Sequence, residues 1–350
     1  MGERIAVVGA TGYTGGLVVA ELVERGVEVV AAGCDRSRLD ALPAEVERQV
    51  VDVTDRLALA AALDGCRAAV NCVGSFQDFG EPVVGAAIAA AIPYVDTAGE
   101  FPFLRRVFEL HDEPARRAGV AVVPGMAFYS APADLIAALA VESLGRPPET
   151  VEIAYRLVGA RPSRGTLRTN LRRIGQPCPV WEDGRLGERS IGDEPRTFRF
   201  PEPYGPVAAA RWPGAEVLTV PRHSGARSVA VYLGMPKVAA AAFRSPAVAR
   251  ALQTVGRAVV GERTGGPSAE ARHRAGFAIV VRVRAGGDET RGVIEGRDFY
   301  GVTVAVCAEA AQRLSAPAVS RAGVLAPAEA FDPADVLDSL ARYLIWRIER

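Results

Sequence analysis

Lysine is almost missing from this chain: of 41 basic residues only Lys237 is one, so imine chemistry on a lysine has a single position at which it could occur. Histidine numbers three and cysteine five. Neither falls into a C-x-x-C pair or a His/Cys/carboxylate spacing, so no metal site and no disulfide framework is expected. Cys34, Cys66, Cys72, Cys178 and Cys307 read as the thiols of a reducing compartment. Charge of one sign is not in excess, with 41 basic against 41 acidic residues, and this leaves no net field to draw nucleic acid or an anionic membrane. Long apolar runs are absent too, since the alanine-rich stretch 85–92 is far short of a bilayer span. A strand begins directly after Met1-Gly2-Glu3-Arg4, which leaves no apolar core for a signal peptide. No Gly-x-Ser-x-Gly elbow supports a serine hydrolase. The expectation is a cytoplasmic protein without membrane or nucleic-acid partners.

What is present is material for two cores. Apolar residues make up 49% and charged residues 23% of 350, and at roughly 150 residues per domain the length suits two domains. Apolar β-branched runs at 5–8, 27–32, 49–53, 68–72, 94–96 and 120–123 alternate with helical spacing at 15–25, 38–47, 56–63, 81–91 and 103–118. That succession predicts an α/β Rossmann domain, a doubly wound parallel sheet, over residues 1–130. After it the texture changes. An apolar helix at 133–144, suited to a core or a dimer interface, precedes strand-like runs at 150–158, 228–233 and 278–283, with long loops around 164–196. These predict a second, mixed α/β domain with an antiparallel sheet over 131–300. Helices at 301–314 and 332–347, the latter capped by Asp332 with Pro333 at its first position, are expected to return residues 301–350 to the first domain.

The chemistry begins at Gly9-Ala10-Thr11-Gly12-Tyr13-Thr14-Gly15, which follows a strand and opens a helix. In that setting Gly9 allows the tight turn, Gly12 lets backbone approach a pyrophosphate, and Gly15 permits close packing of helix on strand. The helix N-terminus, with Thr11, Tyr13 and Thr14 around it, offers N–H groups and a favourable dipole to an anion. Asp35, at the end of the second strand, is placed to accept hydrogen bonds from the adenosine ribose of NAD, whereas Arg36 and Arg38 are placed to pair with the 2′-phosphate of NADP. Asp52 is placed either to contact the adenine edge or to cap the helix starting near Thr54. Val73, Gly74 and Ser75 end the fourth strand, where backbone passes close to a cofactor ribose, with Phe76 following. Tyr94, Asp96, Thr97 and Glu100 gather a phenol, two carboxyls and a hydroxyl at one sheet edge, suited either to proton transfer or to a tight turn and a helix start. His223, in Pro221-Arg222-His223-Ser224, is the histidine best placed for a crevice.

Val73-Gly74-Ser75-Phe76, Phe79-Gly80-Glu81-Pro82-Val83-Val84, Tyr94-Val95-Asp96 and Gly99-Glu100 resemble the saccharopine dehydrogenase-like family of NAD(P)-dependent oxidoreductases. Ser130-Ala131-Pro132-Ala133-Asp134-Leu135, Gly165-Thr166, Tyr300-Gly301-Val302-Thr303 and Gly323-Val324-Leu325-Ala326-Pro327-Ala328 extend the resemblance along the chain. It implies a Rossmann domain joined to a mixed α/β domain, with the nicotinamide presented to the cleft between them. It also implies hydride delivery to a C=N bond, as in saccharopine reductases, or to a conjugated C=C bond, as in trans-acting enoyl reductases. Three positions depart from the pattern. Cys34 stands where relatives carry an arginine, Ser75 where they carry a proline, and Tyr129 where they carry an aspartate.

The function expected is reduction of a small or carrier-protein-linked substrate with NADPH, NAD being the other cofactor considered, in specialised metabolism and as a homodimer. Tyr94, Asp96, Tyr129 and His223 are the expected acid/base or positioning groups, and Phe76, Glu100 and Arg168 the expected substrate contacts. The rival expectation is a sensor that binds NAD(P) without turning anything over.

Overall fold

The computed structural model describes residues 3–173, 176–236, 265–316 and 321–350, together with Val248, Ala251 and Thr254. Lys237 lies outside them. The chain divides into two compact units, the first running to Phe128 and taking in Val302–Ala330, the second made of Tyr129–Gly301 and Phe331–Arg350.

The first unit opens with β1 (Arg4–Val8), α1 (Tyr13–Glu24), β2 (Glu28–Gly33), α2 (Arg36–Asp40), β3 (Glu47–Val50) and α3 (Arg56–Leu63). It continues with β4 (Ala68–Asn71), α4 (Phe76–Ala89), β5 (Tyr94–Asp96), α5 (Phe101–Ala118) and β6 (Ala121–Val123). The second unit supplies α6 (Ala131–Leu144), β7 (Thr150–Val158), α7 (Arg164–Arg173), β8 (Cys178–Glu182), β9 (Arg185–Arg189), β10 (Arg196–Arg199) and β11 (Pro206–Arg211). Then come α8 (Glu216–Ser224), β12 (Ser228–Gly234), α9 (Ala269–Arg274), β13 (Gly276–Ala285) and β14 (Asp288–Arg297). The chain closes with α10 (Phe299–Ser315), β15 (Gly323–Val324), α11 (Pro327–Ala330), α12 (Pro333–Ser339) and β16 (Leu344–Glu349).

The first sheet has the order β15-β6-β5-β4-β1-β2-β3, every pair parallel. Ile5, Ala6, Val7 and Val8 are all 0% exposed, as a central strand covered on both faces requires. The order reverses beside β1, which places the first turn at the carboxyl ends of the strands where such sheets bind ligands. This is the expected doubly wound domain.

The second sheet runs β10-β11-β12-β7-β13-β14-β16, with the β8–β9 hairpin pairing onto β12. Its pairs are antiparallel except β12 with β7, so the sheet is mixed. Alternation in β7 turns Val151, Ile153 and Tyr155 to one face, and α6 and α8 pack on this sheet. Gly292 on β14 leaves room for the side chain of Ile136 on α6. Helix α6 buries Ala131 through Ala137 and Ala140 within the chain itself, so this apolar helix is core.

Two expectations are corrected. The region expected as loops around 164–196 forms α7 and the β8–β9 hairpin. The helix expected over 332–347 stops at Ser339: Asp332 does cap it, accepting from the Asp335 N–H at 2.9 Å, but residues from Leu344 pair with the open edge of β14 as β16. The apolar residues Leu344, Trp346 and Ile348 fit a strand as readily as a helix, and the free edge of β14 decides between them. The final twenty residues therefore join the second unit, and only Val302–Ala330 returns to the first.

Candidate functional site

In the first unit the turn 9–15 is built around its glycines. Gly9 has φ +86°, a conformation that favours glycine, and a side chain there would press on the backbone of Cys72 and Val73 at 2.8 Å. Gly15 packs against Gly9, where any side chain would run into the Gly9 carbonyl. Thr11 lies against Gly33 of β2. Helix α1 then starts with Gly12 as its N-cap, no side chain caps it, and its first turn holds no acid. Its N-terminal N–H groups and dipole are thus left for an anion.

At the end of β2, Asp35 caps α2, accepting from Ser37 Oγ at 2.8 Å and the Arg38 N–H at 3.2 Å, and these bonds hold its carboxyl below the ordinary value. Arg36 beside it is exposed and makes no hydrogen bond or ion pair among the described residues. Asp52 binds its own turn, accepting from the N–H and Oγ1 of Thr54, and the cap of α3 is Asp55 instead. Gly74 is exposed with open space around it, and its peptide bond to Ser75 is cis.

The polar cluster at the ends of β4 and β5 holds the framework together. Asn71 donates to the Tyr94 phenol at 2.9 Å and accepts from the Val73 N–H, and Tyr94 donates to Asp96 Oδ2 at 2.9 Å. Asp96 Oδ1 takes the N–H groups of Ala98 and Gly125, which ties β5 to the loop after β6. Tyr94 and Asp96 are both 0% exposed, and burial pushes Asp96 up to about 6 and the Tyr94 phenol well above its ordinary value. With their bonds spent inside the unit, they position the strand ends. Glu100 accepts from the Phe76 and Gln77 N–H groups at 3.2 and 3.0 Å, closing the start of α4. Phe76 is buried against Phe103, ring centres 5.4 Å apart. Both are expected substrate contacts, and in the first unit they serve in packing and in closing the start of α4.

In the second unit a different set of groups comes together. His223 on α8 bonds through Nε2 to Asp134 Oδ1 on α6 at 3.0 Å, with the carboxylate wholly buried and the imidazole 10% exposed. Seven residues before His223 on the same helix, Glu216 is hydrogen-bonded to the Tyr155 phenol and 0% exposed. Burial is the largest cause that pushes Glu216 up, to about 7, with the Asp134 carboxylate adding to it. Tyr129 packs its ring on Tyr155 with centres 5.2 Å apart, and burial raises its phenol far above the ordinary value although Arg173 opposes this. The Tyr300 phenol accepts from the Ser163 N–H and shares a hydrogen bond with Thr166, fixing the start of α7. Arg168 on that helix is exposed and makes no hydrogen bond or ion pair among the described residues.

Sequence reading missed Glu216 and Tyr155. The signals were there: a lone acid opening an apolar helix, His223 on its face seven residues on, and an inward position in an alternating strand. Among the described residues no cluster of His, Cys, Asp and Glu suits a metal ion, and no helix is long and apolar enough to cross a membrane.

Residues 5–123 match the family model of the saccharopine dehydrogenase NADP binding domain. Over these residues the first unit is similar to that domain. Its glycine cradle and uncapped helix suit a phosphate group, and the matching domain model is one that binds NADP. A bovine saccharopine dehydrogenase-like oxidoreductase is 29% identical over 153 residues, 38% of this chain and 36% of that protein. A candidate trans-acting enoyl reductase of Mycobacterium tuberculosis is 29% identical over 140 residues, 37% of this chain and 33% of that one. The chain thus matches about a third of the length of these relatives. The saccharopine dehydrogenase (L-Glu forming) of Saccharomyces cerevisiae superposes with a TM-score of 0.69 over the whole of both chains at 15% identity, which establishes the two-unit α/β fold.

Proposed function

We propose that this protein is an NADPH-dependent reductase that delivers hydride to a C=N or conjugated C=C bond of a small or carrier-linked substrate. The observation that carries the reading is the glycine turn against an uncapped helix, with Arg36 unpaired at the end of the next strand. Bound NADPH would supply the hydride. The chain's own task is to hold the reactants and to provide a proton for the atom beside the one reduced. Of the four acid/base candidates, Tyr94 and Asp96 are sealed in the first unit, whereas His223 has a buried carboxylate to orient it. His223 is therefore assigned as the proton donor, with Asp134 as its positioning residue and Arg168 available to a substrate anion. The reading retains a cytoplasmic homodimer in specialised metabolism, for which the support is the sequence alone.

Calorimetric titration with NADPH and NADH tests the first half: tighter binding of NADPH is expected, and binding of neither overturns the reading. NADPH oxidation across cyclic imines and conjugated enoyl thioesters, free and on a carrier protein, tests the second. Binding without oxidation of NADPH by any of them would make the protein a cofactor-responsive binding module instead.

A further inference from the structure

The face of α8 that carries Glu216 and His223 also carries Thr219, three residues after one and four before the other, so the three side chains rise in a row along the helix. Two atoms in this row are buried with no hydrogen-bond partner on another described residue: Glu216 Oε2 and Thr219 Oγ1. Across from them, at the head of α6, Ser130 Oγ is buried and unpartnered too, one turn before Asp134. Helices α6 and α8 pack on one another, joined by the His223–Asp134 bond, and Tyr155 on β7 bonds Glu216; the polar groups along this helix pair form a seam. Buried hydroxyl and carboxyl oxygens are rarely left unsatisfied in folded proteins, and a polar seam of this kind is where ordered water bridges them.

Resting on the reading of this protein as a reductase, we propose that the seam is a proton track, in which Glu216 stores a proton and Thr219 relays it through ordered water to His223. In one turnover His223 gives its proton to the nitrogen or carbon next to the carbon that has received the hydride. The neutral imidazole then takes a proton from the Thr219 side, as the hydroxyl of Thr219 passes one on and receives one from the Glu216 carboxyl. Glu216, left as carboxylate, is reprotonated from solvent, so the sum is one hydride from NADPH and one proton from water. The charged and titratable groups facing the track are Asp134 from α6, Tyr155 from β7, Arg173 from α7, and Tyr129 against Tyr155. A carboxyl raised to about 7 is half protonated near neutral pH, the condition in which it both gives and regains a proton.

The test uses Thr219→Val, which keeps the shape and removes the relay, with Thr219→Ser as the rescue. The chain has three histidines, so the ring proton of His223 can be followed by NMR in the whole protein without any substrate. Its exchange with water is expected to slow about tenfold or more in T219V and in E216Q, and to return to within about twofold of wild type in T219S; equal rates in all four proteins would overturn the track. For a substrate that oxidises NADPH, T219V is expected to lower kcat about tenfold with KM unchanged and to lose the upward-pH limb of the profile, while T219S restores both. Slowed exchange with no turnover on any substrate would sink the reductase reading and leave the proton track standing, whereas turnover with unaltered exchange would do the reverse.

Discussion

Tyr155 holds the carboxyl of Glu216 by a hydrogen bond inside the second unit, where the two are 1% and 0% exposed. Unfolding releases this carboxyl to its ordinary value near 4.3, against about 7 in the fold. A carboxyl raised by folding contributes stability that is full below about pH 4 and is lost as pH rises through 7. Relative to E216Q, the wild-type protein is expected to lose on the order of 3 kcal/mol between pH 4.5 and 8. Urea unfolding of both proteins across that range measures it, and parallel pH profiles would count against the buried acid.

Arg36→Ala removes an exposed guanidinium that makes no bond among the described residues, so the fold should not register the change. NADPH binding is expected to weaken about tenfold or more, the usual scale for a lost charge-assisted bond to phosphate, with NADH unchanged. Calorimetry with both cofactors decides it. Equal weakening of the two would place Arg36 away from the 2′-phosphate.

Gly15→Ala and Gly74→Ala should separate fold from cofactor. A methyl at Gly15 meets the Gly9 carbonyl, and a cost of roughly 2–4 kcal/mol in unfolding free energy is expected. A methyl at Gly74 meets nothing within 4 Å, so stability should stay within about 0.5 kcal/mol, and a loss of NADPH affinity there would report contact with the cofactor.

Tyr94→Phe removes the hydroxyl that joins Asn71 to Asp96. Two buried groups lose a partner, at an expected cost of about 1–3 kcal/mol, while kcat at saturating substrate stays within about twofold. Asp134→Asn should do the opposite: kcat falls about a hundredfold, through the loss of the carboxylate that orients His223, with NADPH affinity retained. A large kcat loss in Y94F would return Tyr94 to the chemistry.

The first unit was legible because each of its signals was local. Apolar strand runs, helical spacing and the glycines of the turn all sit within a few residues of the structure that they specify. Asp52 and Asp55 show the limit, since both are acids three residues apart before a helix and only geometry tells which one caps it. Glu100 was legible as a helix start but not as the group that closes α4, because its partners lie 23 and 24 residues away. The His223 and Asp134 pairing spans 89 residues, and the Tyr155 and Glu216 pairing 61. Contacts of that range depend on which strands become neighbours, and in the second unit the parallel pairing of β7 with β12 settles this.

Strand β16 is the last element of the chain, yet it fills the edge of a sheet whose other strands come from 150 to 297. During synthesis β14 must wait with an unpaired edge until residues 344–349 leave the ribosome, and β6 likewise waits for β15. Neither unit can therefore be expressed whole as one uninterrupted fragment. A cut before Phe331 strips the second unit of its edge strand, and a cut before Val302 strips the first of β15. The nascent chain thus carries two open sheet edges until β15 and β16 emerge.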